Sequence, residues 1–167
     1  MARIPIALQL YSVREDCAND LPGTLKAVAD MGYEGVEFAG YHDRSADELR
    51  QMCDELKLAS VGTHTGIDTL LGDQLEETVK FNRTLGHKYL IVPGLAEEYR
   101  ATPDAWRQTA ATFNDIAAKA AALDAQVGYH NHRIEFEDLD GEIPWDIFCG
   151  GTTQSVITQL DVGHCMR

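Results

Sequence analysis

The chain has 167 residues, of which 44% are hydrophobic, and its formal net charge is -13. A chain of this length and composition buries one sizeable core, so we expect a single domain over residues 1–167. The acidic balance opposes a nucleic-acid surface, since phosphate binding depends on clustered Lys and Arg. No apolar stretch near the amino terminus is long enough for a signal peptide or a membrane helix, which predicts a cytoplasmic protein without a membrane partner.

Short apolar runs alternate with helical stretches along the chain. Strands are predicted over residues 6–10, 35–38, 59–63 and 89–92, from Gln126 onward, and over residues 155–160. Helices are predicted from about Pro22 to Met31, over about 46–57, before Gly86, from Pro103 to about Leu123 and over 144–149. Two helix starts carry capping signals, namely the capping box Ser45-Ala-Asp-Glu48 and Thr102-Pro103.

Strands that alternate with helices in units of about 30 residues indicate βαβ crossovers and a parallel sheet. Polar residues follow the strands at their carboxyl ends, where a (β/α)8 TIM barrel gathers its site. A doubly wound sheet would favour a glycine-rich phosphate turn, and the sequence has none. We therefore expect about the first six βα units of a barrel, incomplete at its C-terminus. An open sheet edge predicts that the chain associates with itself or aggregates.

The stretch from Gln126 to Glu137 changes from an apolar strand into a cluster of imidazole, amide and carboxylate groups. Alternate side chains of a strand share a face, so His130 and His132 are expected to point together, away from Tyr129. Two imidazoles side by side suit a metal ion or a polar substrate. The alternative is a polar loop that follows a core strand.

Asp161 ends the sixth predicted strand, whose preceding residues are mostly apolar. Its carboxylate is expected inside the rim of the barrel, where an unpaired charge is costly and a cation is the natural partner. The alternative is that Asp161 caps the turn through Gly163 by accepting backbone N–H bonds.

Three further residues follow the first three strands. Gln9 and His64 are interpreted as substrate-facing, because they lie at or just beyond strand ends. Glu37 either binds substrate or pairs with Arg14. His87 precedes the fourth strand, on the opposite rim, and is expected to be structural.

Four motifs together resemble the sugar phosphate isomerase/epimerase family of xylose-isomerase-like TIM barrels: Leu8-Gln-Leu-Tyr-Ser-Val-Arg14, Gly32-Tyr-Glu-Gly-Val-Glu-Phe-Ala-Gly40, Tyr129-His-Asn-His132 with Glu135-Phe136, and Leu160-Asp-Val-Gly-His164. The resemblance implies a small sugar substrate and one divalent metal, Mn2+, Mg2+, Co2+ or Zn2+. It implies that Asp161 ligates this metal and that His164 contacts a substrate oxygen.

The fifth strand departs from the family pattern, because Tyr129 or His130 stands where ketose epimerases carry a glutamate that both ligates the metal and exchanges a proton. The resemblance leaves His130 as a metal ligand and Glu135 as a substrate contact, and the predicted catalytic residues are Glu135, His132 and His164. The family's seventh-strand and eighth-strand ligands would fall beyond Arg167. The chain alone is therefore expected to bind metal poorly and to be inactive.

Three classes of function remain open. The first is a metal-dependent isomerase or epimerase that removes an α-proton from a sugar and stabilises the enediolate. The second is a hydrolase of the apurinic-endonuclease type, which the acidic charge and the few His and Glu ligands oppose. The third is a non-catalytic fragment or binding subunit that keeps the fold without a complete metal site.

Overall fold

The computed structural model describes residues 3–166, over which strands and helices alternate. The strands are β1 Ala7–Gln9, β2 Gly35–Ala39, β3 Ala59–His64, β4 Tyr89–Val92, β5 Gln126–His130 and β6 Ile157–Gln159. The α-helices are α1 Arg14–Asp30, α2 Ala46–Leu56, α3 Gln74–Leu85, α4 Pro103–Ala122, α5 Pro144–Gly151 and α6 Val162–Cys165. Within residues 3–166, no helix combines the length and apolar character needed to cross a membrane.

The six strands form one sheet in which the order of the strands is their order in the sequence. The pairs β1–β2, β2–β3 and β5–β6 are parallel. Consecutive parallel strands with a helix after each strand are the arrangement of a (β/α)8 barrel. The sheet therefore corresponds to the first six βα units of that fold, as the alternation of elements predicts.

The first of two compact units comprises residues 3–64 and 79–89. Its core consists of apolar side chains from α1, α2, β2 and the turn after β1, including Leu10, Leu25, Val36, Phe38 and Leu49, each at most 1% exposed. Burial of each such side chain contributes about 1.5–3 kcal/mol. This packing fixes β1 and β2 by the side chains that face the helices, which leaves the alternate positions Gln9 and Glu37 on the other face.

The second unit comprises residues 65–78 and 90–166, and aromatic rings fill its core. Tyr129 of β5 lies 5.1 Å from Phe148 of α5 and 5.9 Å from both Trp106 and Phe113 of α4, measured between ring centroids. Ring contacts at these distances, edge-to-face for Trp106 and Phe113, stabilise aromatic clusters. Helix α4 thus buries an apolar stripe that packs on β5, the strand that carries His130.

The helix boundaries follow local capping chemistry where the sequence signals it. The Ser45 side chain accepts from the Glu48 N–H at 3.3 Å, and Glu48 returns a bond to the Ser45 N–H, which confirms the capping box of α2. Thr102 caps α4 by accepting from the Ala105 N–H.

The helix predicted from about Pro22 to Met31 is confirmed, but a helical segment before it was not predicted. Helix α1 begins at Arg14 and is interrupted at Asp20, where the backbone is non-helical. Asp20 accepts from the Gly23 N–H and so caps a second helical segment, which contains Pro22. Strand β6 is limited to Ile157–Gln159, shorter than residues 155–160, because its ladder pairs only with three residues of β5.

Candidate functional site

Three histidines come together in the second unit. His130 is the last residue of β5, His132 lies two residues further on, and His164 lies in α6. One ring nitrogen from each lies within 4.8 Å of those of the other two, and all three side chains are partly exposed. The ring centroids of His130 and His132 are 5.2 Å apart, which confirms that these rings lie together. The fold adds His164, 4.9 Å from His132 between centroids.

Asp161 lies beside this imidazole cluster and serves two contacts at once. Its Oδ1 accepts from the His164 N–H at 2.8 Å and so caps α6. Its Oδ2 is 3.8 Å from His130 Nε2 and 4.0 Å from His164 Nε2. The capping alternative is therefore observed, and the second oxygen of the same carboxylate remains directed to the imidazoles.

The electrostatics around Asp161 favour the ionised carboxylate. Desolvation by partial burial raises the pKa of Asp161, but the hydrogen bond from the His164 N–H and the charges of His164 and His130 outweigh it. The net effect is a pKa below the usual value. An anion therefore lies next to the imidazoles over the whole neutral pH range.

The spacing of the imidazoles fits a small cation. Nitrogens that share a metal at bond lengths of about 2.0–2.1 Å lie roughly 3–4 Å apart, so an outer limit of 4.8 Å requires only small side-chain rotations. Neutral imidazole is a common metal ligand, and Asp161 adds a carboxylate within 4.0 Å of two of the rings. His130, His132, His164 and Asp161 are thus the residues that could hold an ion.

Gln159 orients His130, a role that the sequence analysis missed. The two residues face each other in the register of β5 and β6, and His130 Nδ1 lies 2.9 Å from Gln159 Oε1. A carbonyl oxygen only accepts hydrogen bonds, so Nδ1 carries the hydrogen and Nε2 keeps its lone pair. This bond connects adjacent strands, and no local sequence pattern signals it.

Asn131 connects β5 to the start of α6. Its Oδ1 accepts from the Asp161 N–H at 2.7 Å, and its Nδ2 donates to the Asp161 carbonyl at 3.1 Å. The Asn131 side chain is completely buried, and the two bonds imitate a backbone pairing. Asn131 therefore fixes Asp161 by its main chain and leaves the carboxylate free for other contacts.

Glu135 is completely buried, unlike a residue that contacts substrate. Its Oε1 accepts from the Tyr129 hydroxyl at 2.5 Å and its Oε2 accepts from the His132 N–H at 2.7 Å. Burial, followed by the charge of Glu135 and the hydrogen bond to it, raises the pKa of Tyr129. The placement differs from the expected substrate contact, because both carboxylate oxygens hold the turn between His130 and Glu135.

A second polar group lies in the first unit, on the strands β1 to β3. Gln9 pairs in register with Glu37, and Glu37 pairs with Gly62. Glu37 Oε2 lies 3.4 Å from His64 Nε2, and both side chains are largely buried. A Cβ at Gly62 would lie 3.0 Å from Glu37 Oε1, so glycine leaves room for the carboxylate. Glu37 is thus paired with His64, whereas Arg14 lies over the Tyr11 ring and donates to the Tyr11 carbonyl.

His87 is structural, as its position before β4 predicts. It is 8% exposed, and its Nε2 lies 2.9 Å from the Thr63 hydroxyl oxygen. Its Nδ1 accepts from the Tyr89 N–H at 3.3 Å, which places the hydrogen on Nε2 and makes Thr63 the acceptor. Desolvation by burial lowers the pKa of His87 to about 4, so the ring is neutral at pH 7.

The predicted residues thus fall into two groups. The structure brings His130, His132, His164 and Asp161 together at the ends of β5 and β6, and it brings Glu37 and His64 together on β2 and β3. That the two groups act on one substrate stays a prediction.

Comparison with known proteins gives structural matches. No protein-family model matches the chain, and no curated protein does. A crystal structure of a sugar phosphate isomerase/epimerase from Parabacteroides distasonis matches with a TM-score of 0.84 at 20% identity, over 99% of this chain and 68% of that one.

Two further crystal structures share the fold at lower similarity. An IolI protein with a bound zinc atom matches with a TM-score of 0.71 at 14% identity, over 96% of this chain and 64% of that one. An AP endonuclease of family 2 from Brucella melitensis matches with a TM-score of 0.68 at 15% identity, over 96% of this chain and 70% of that one. The chain spans about two thirds of the length of these three neighbours. At such identities the likeness shows the fold and leaves the activity open. The chain therefore has the fold of the xylose-isomerase-like TIM barrels, over their first six βα units.

Proposed function

We propose that this chain is the metal-binding part of an isomerase or epimerase that acts on a small sugar, sugar phosphate or keto-sugar by α-proton removal. The observation that carries the proposal is the imidazole cluster with Asp161 at the carboxyl ends of β5 and β6, where TIM barrels bind their substrates. The structural likeness to a sugar phosphate isomerase/epimerase supports the same class of reaction.

A divalent ion bound here would polarise the carbonyl and hydroxyl oxygens of a sugar and stabilise an enediolate. His130 and Asp161 are the ligands in this proposal, and their facing atoms are 3.8 Å apart. His132 and His164 are close enough to ligate the ion or to contact substrate oxygens. Glu135 positions His132 through its main-chain N–H.

Glu37 and His64 keep the predicted role in substrate binding. A carboxylate and an imidazole at 3.4 Å can each form a hydrogen bond with a hydroxyl group of a sugar. Gln9 keeps the predicted role in substrate binding. Its Oε1 accepts from the Tyr11 N–H, whereas its Nε2 is buried without a partner among residues 3–166 and could donate to a substrate oxygen.

The net charge favours this class over the hydrolase class, although an AP endonuclease shares the fold. A charge of -13 repels the phosphates of DNA, and a DNA-binding surface requires clustered cations. The third class is a chain without a complete metal site. Direct measurement of metal binding and turnover distinguishes it from the isomerase or epimerase class.

The test is solvent exchange in D2O. The chain, loaded with Mn2+, Co2+ or Zn2+, is incubated with a panel of ketoses and ketose phosphates, and NMR follows deuterium at the α-carbon. From the sequence, only His130 and Asp161 were expected to hold the metal and the chain alone was expected to be inactive. Because the fold brings His132 and His164 to the same place, we now expect metal-dependent exchange. Asp161→Asn should lower metal content and exchange together, while His42→Ala in the turn after β2 keeps both. Absence of exchange in a chain that holds its metal stoichiometrically would refute the enzymatic proposal and leave a metal-binding module.

A further inference from the structure

The imidazole cluster is a nitrogen-rich set of ligands. His130, His132 and His164 each offer one ring nitrogen within 4.8 Å of the others, and Asp161 is the carboxylate seen beside two of them. Glu135, three residues after His132, is not available as a ligand, because its carboxylate accepts hydrogen bonds from the Tyr129 hydroxyl and from the His132 main-chain N–H. The side chains that converge here therefore supply three nitrogens and one carboxylate.

The nature of the ligands determines which ions bind. Mg2+ and Ca2+ are hard ions that require oxygen ligands and retain water in preference to imidazole. Zn2+ and Co2+ bind imidazole well, and Zn2+ accepts tetrahedral sets of three protein side chains and one water. A cluster of three imidazoles thus discriminates between these two groups of ions.

Gln159 fixes the tautomer of one of the three ligands, His130. Its Oε1 accepts from His130 Nδ1 at 2.9 Å, so the lone pair is at Nε2, the atom that faces Asp161. Partners that fix the tautomer of a histidine ligand in this way raise metal affinity by about 10–100-fold. The register of β5 and β6 holds Gln159 opposite His130, so the orientation precedes ion binding.

We propose that His130, His132 and His164 form a three-imidazole site that binds Zn2+ or Co2+ in preference to Mg2+, with Gln159 as a positioning residue. The inference deepens the proposed function, on whose metal position it rests, by assigning His132 and His164 as ligands and by naming the class of ion. It requires no substrate.

The test is metal binding by the 167-residue chain, measured by calorimetry and by competition with a chromophoric chelator. We expect one Zn2+ per chain, bound at least about 100-fold more tightly than Mg2+. His132→Ala and His164→Ala should each weaken Zn2+ binding by about tenfold or more. Co2+ should give a visible absorption band that both substitutions alter. His42→Ala is the control and should leave Zn2+ affinity unchanged.

Gln159 is tested by a pair of variants. Gln159→Leu removes the acceptor and should weaken Zn2+ binding about tenfold, whereas Gln159→Glu keeps an acceptor and should restore it. Circular dichroism of each variant establishes that the fold is intact, and His132→Asn replaces any alanine variant that unfolds.

Two results would overturn the inference. One is Mg2+ binding as tightly as Zn2+, and the other is Zn2+ affinity unchanged in both His132→Ala and His164→Ala. These outcomes differ from failure of the proposed function, in which Zn2+ binds as expected but no α-proton exchange occurs. Proton exchange supported by Mg2+ and insensitive to His132→Ala would keep the proposed function and refute the three-imidazole site.

Discussion

The carboxyl ends of β2–β3 and of β5–β6 hold their ionisable groups in different proportions. In the first unit one carboxylate, Glu37, faces one imidazole, His64, at 3.4 Å. In the second unit three imidazoles converge beside a single carboxylate, Asp161. The first group thus has one nitrogen-bearing and one oxygen-bearing side chain, whereas the second group has three imidazoles for one carboxylate. The excess of nitrogen ligands is what points to a cation at β5–β6.

The largest expected effect on stability comes from the aromatic side chains that pack against β5. Phe148→Ala removes a completely buried ring that packs on Tyr129 and Phe113, and it should lower the free energy of unfolding by about 3–5 kcal/mol. Urea denaturation measures this loss, and Leu71→Ala, at an exposed position, should change it by less than about 0.5 kcal/mol. A loss as small as that of Leu71→Ala would show that the aromatic core does not stabilise the fold around β5.

The next effect is the pH dependence of stability that the buried, structural His87 causes. Because the pKa of His87 falls from 6.5 to about 4 on folding, the unfolded chain binds more protons between these values. The stabilising contribution is complete above about pH 6.5 and decreases as the pH falls toward 4, by up to about 3 kcal/mol. Unfolding followed at several pH values should show this decrease in the native chain and a smaller one in His87→Gln. Parallel curves for the two proteins would contradict the buried neutral ring.

Asp161→Asn tests whether the carboxylate beside the imidazole cluster contributes to metal binding. Asparagine still caps α6, so the fold should persist, while the loss of the negative charge should lower Mn2+ or Zn2+ affinity and turnover together. We expect metal affinity and turnover each to fall by one to two orders of magnitude, or about 1.4–3 kcal/mol. Calorimetric titration of both proteins measures it. Equal affinities would leave Asp161 with the capping role alone.

The smallest effect is expected at Tyr129. Tyr129→Phe removes the donor to Glu135 Oε1 and leaves that buried oxygen unpaired, at a cost of about 1–2 kcal/mol in unfolding free energy. Zn2+ affinity should fall slightly as well, because Glu135 holds the turn that carries His132. Thermal unfolding without Zn2+ measures the change in stability, and unfolding with Zn2+ measures the change in affinity. A variant as stable as the native chain would show that Glu135 does not need this hydroxyl.

Parts of the fold were predictable because their signals are local. The capping box at Ser45 and the cap at Thr102 specify helix starts within four residues of sequence. The helical segment that begins at Arg14 was missed, because its N-cap residue, Val13, makes no side-chain capping bond. The end of β6 was also missed, since a ladder ends where its partner strand ends.

The candidate site divides in the same way. His130, His132 and Asp161 were recognisable, because alternation and strand-end position are properties of the sequence. Gln159 and Asn131 were not, since each acts on a residue 29 or 30 positions away. The sequence also left Glu135 as a substrate contact, and only its burial shows that it holds the turn.

The sequence by itself determined the order of strands and helices, the ends of the helices that carry caps, and the identity of the polar groups that follow the strands. These depend on short-range periodicity and capping, which act within one turn or one strand. Only the tertiary structure decided that three imidazoles converge, that Asp161 caps a helix while facing them, and that Gln159 fixes the tautomer of His130. Such contacts depend on the register between neighbouring strands, which the packing of whole elements determines.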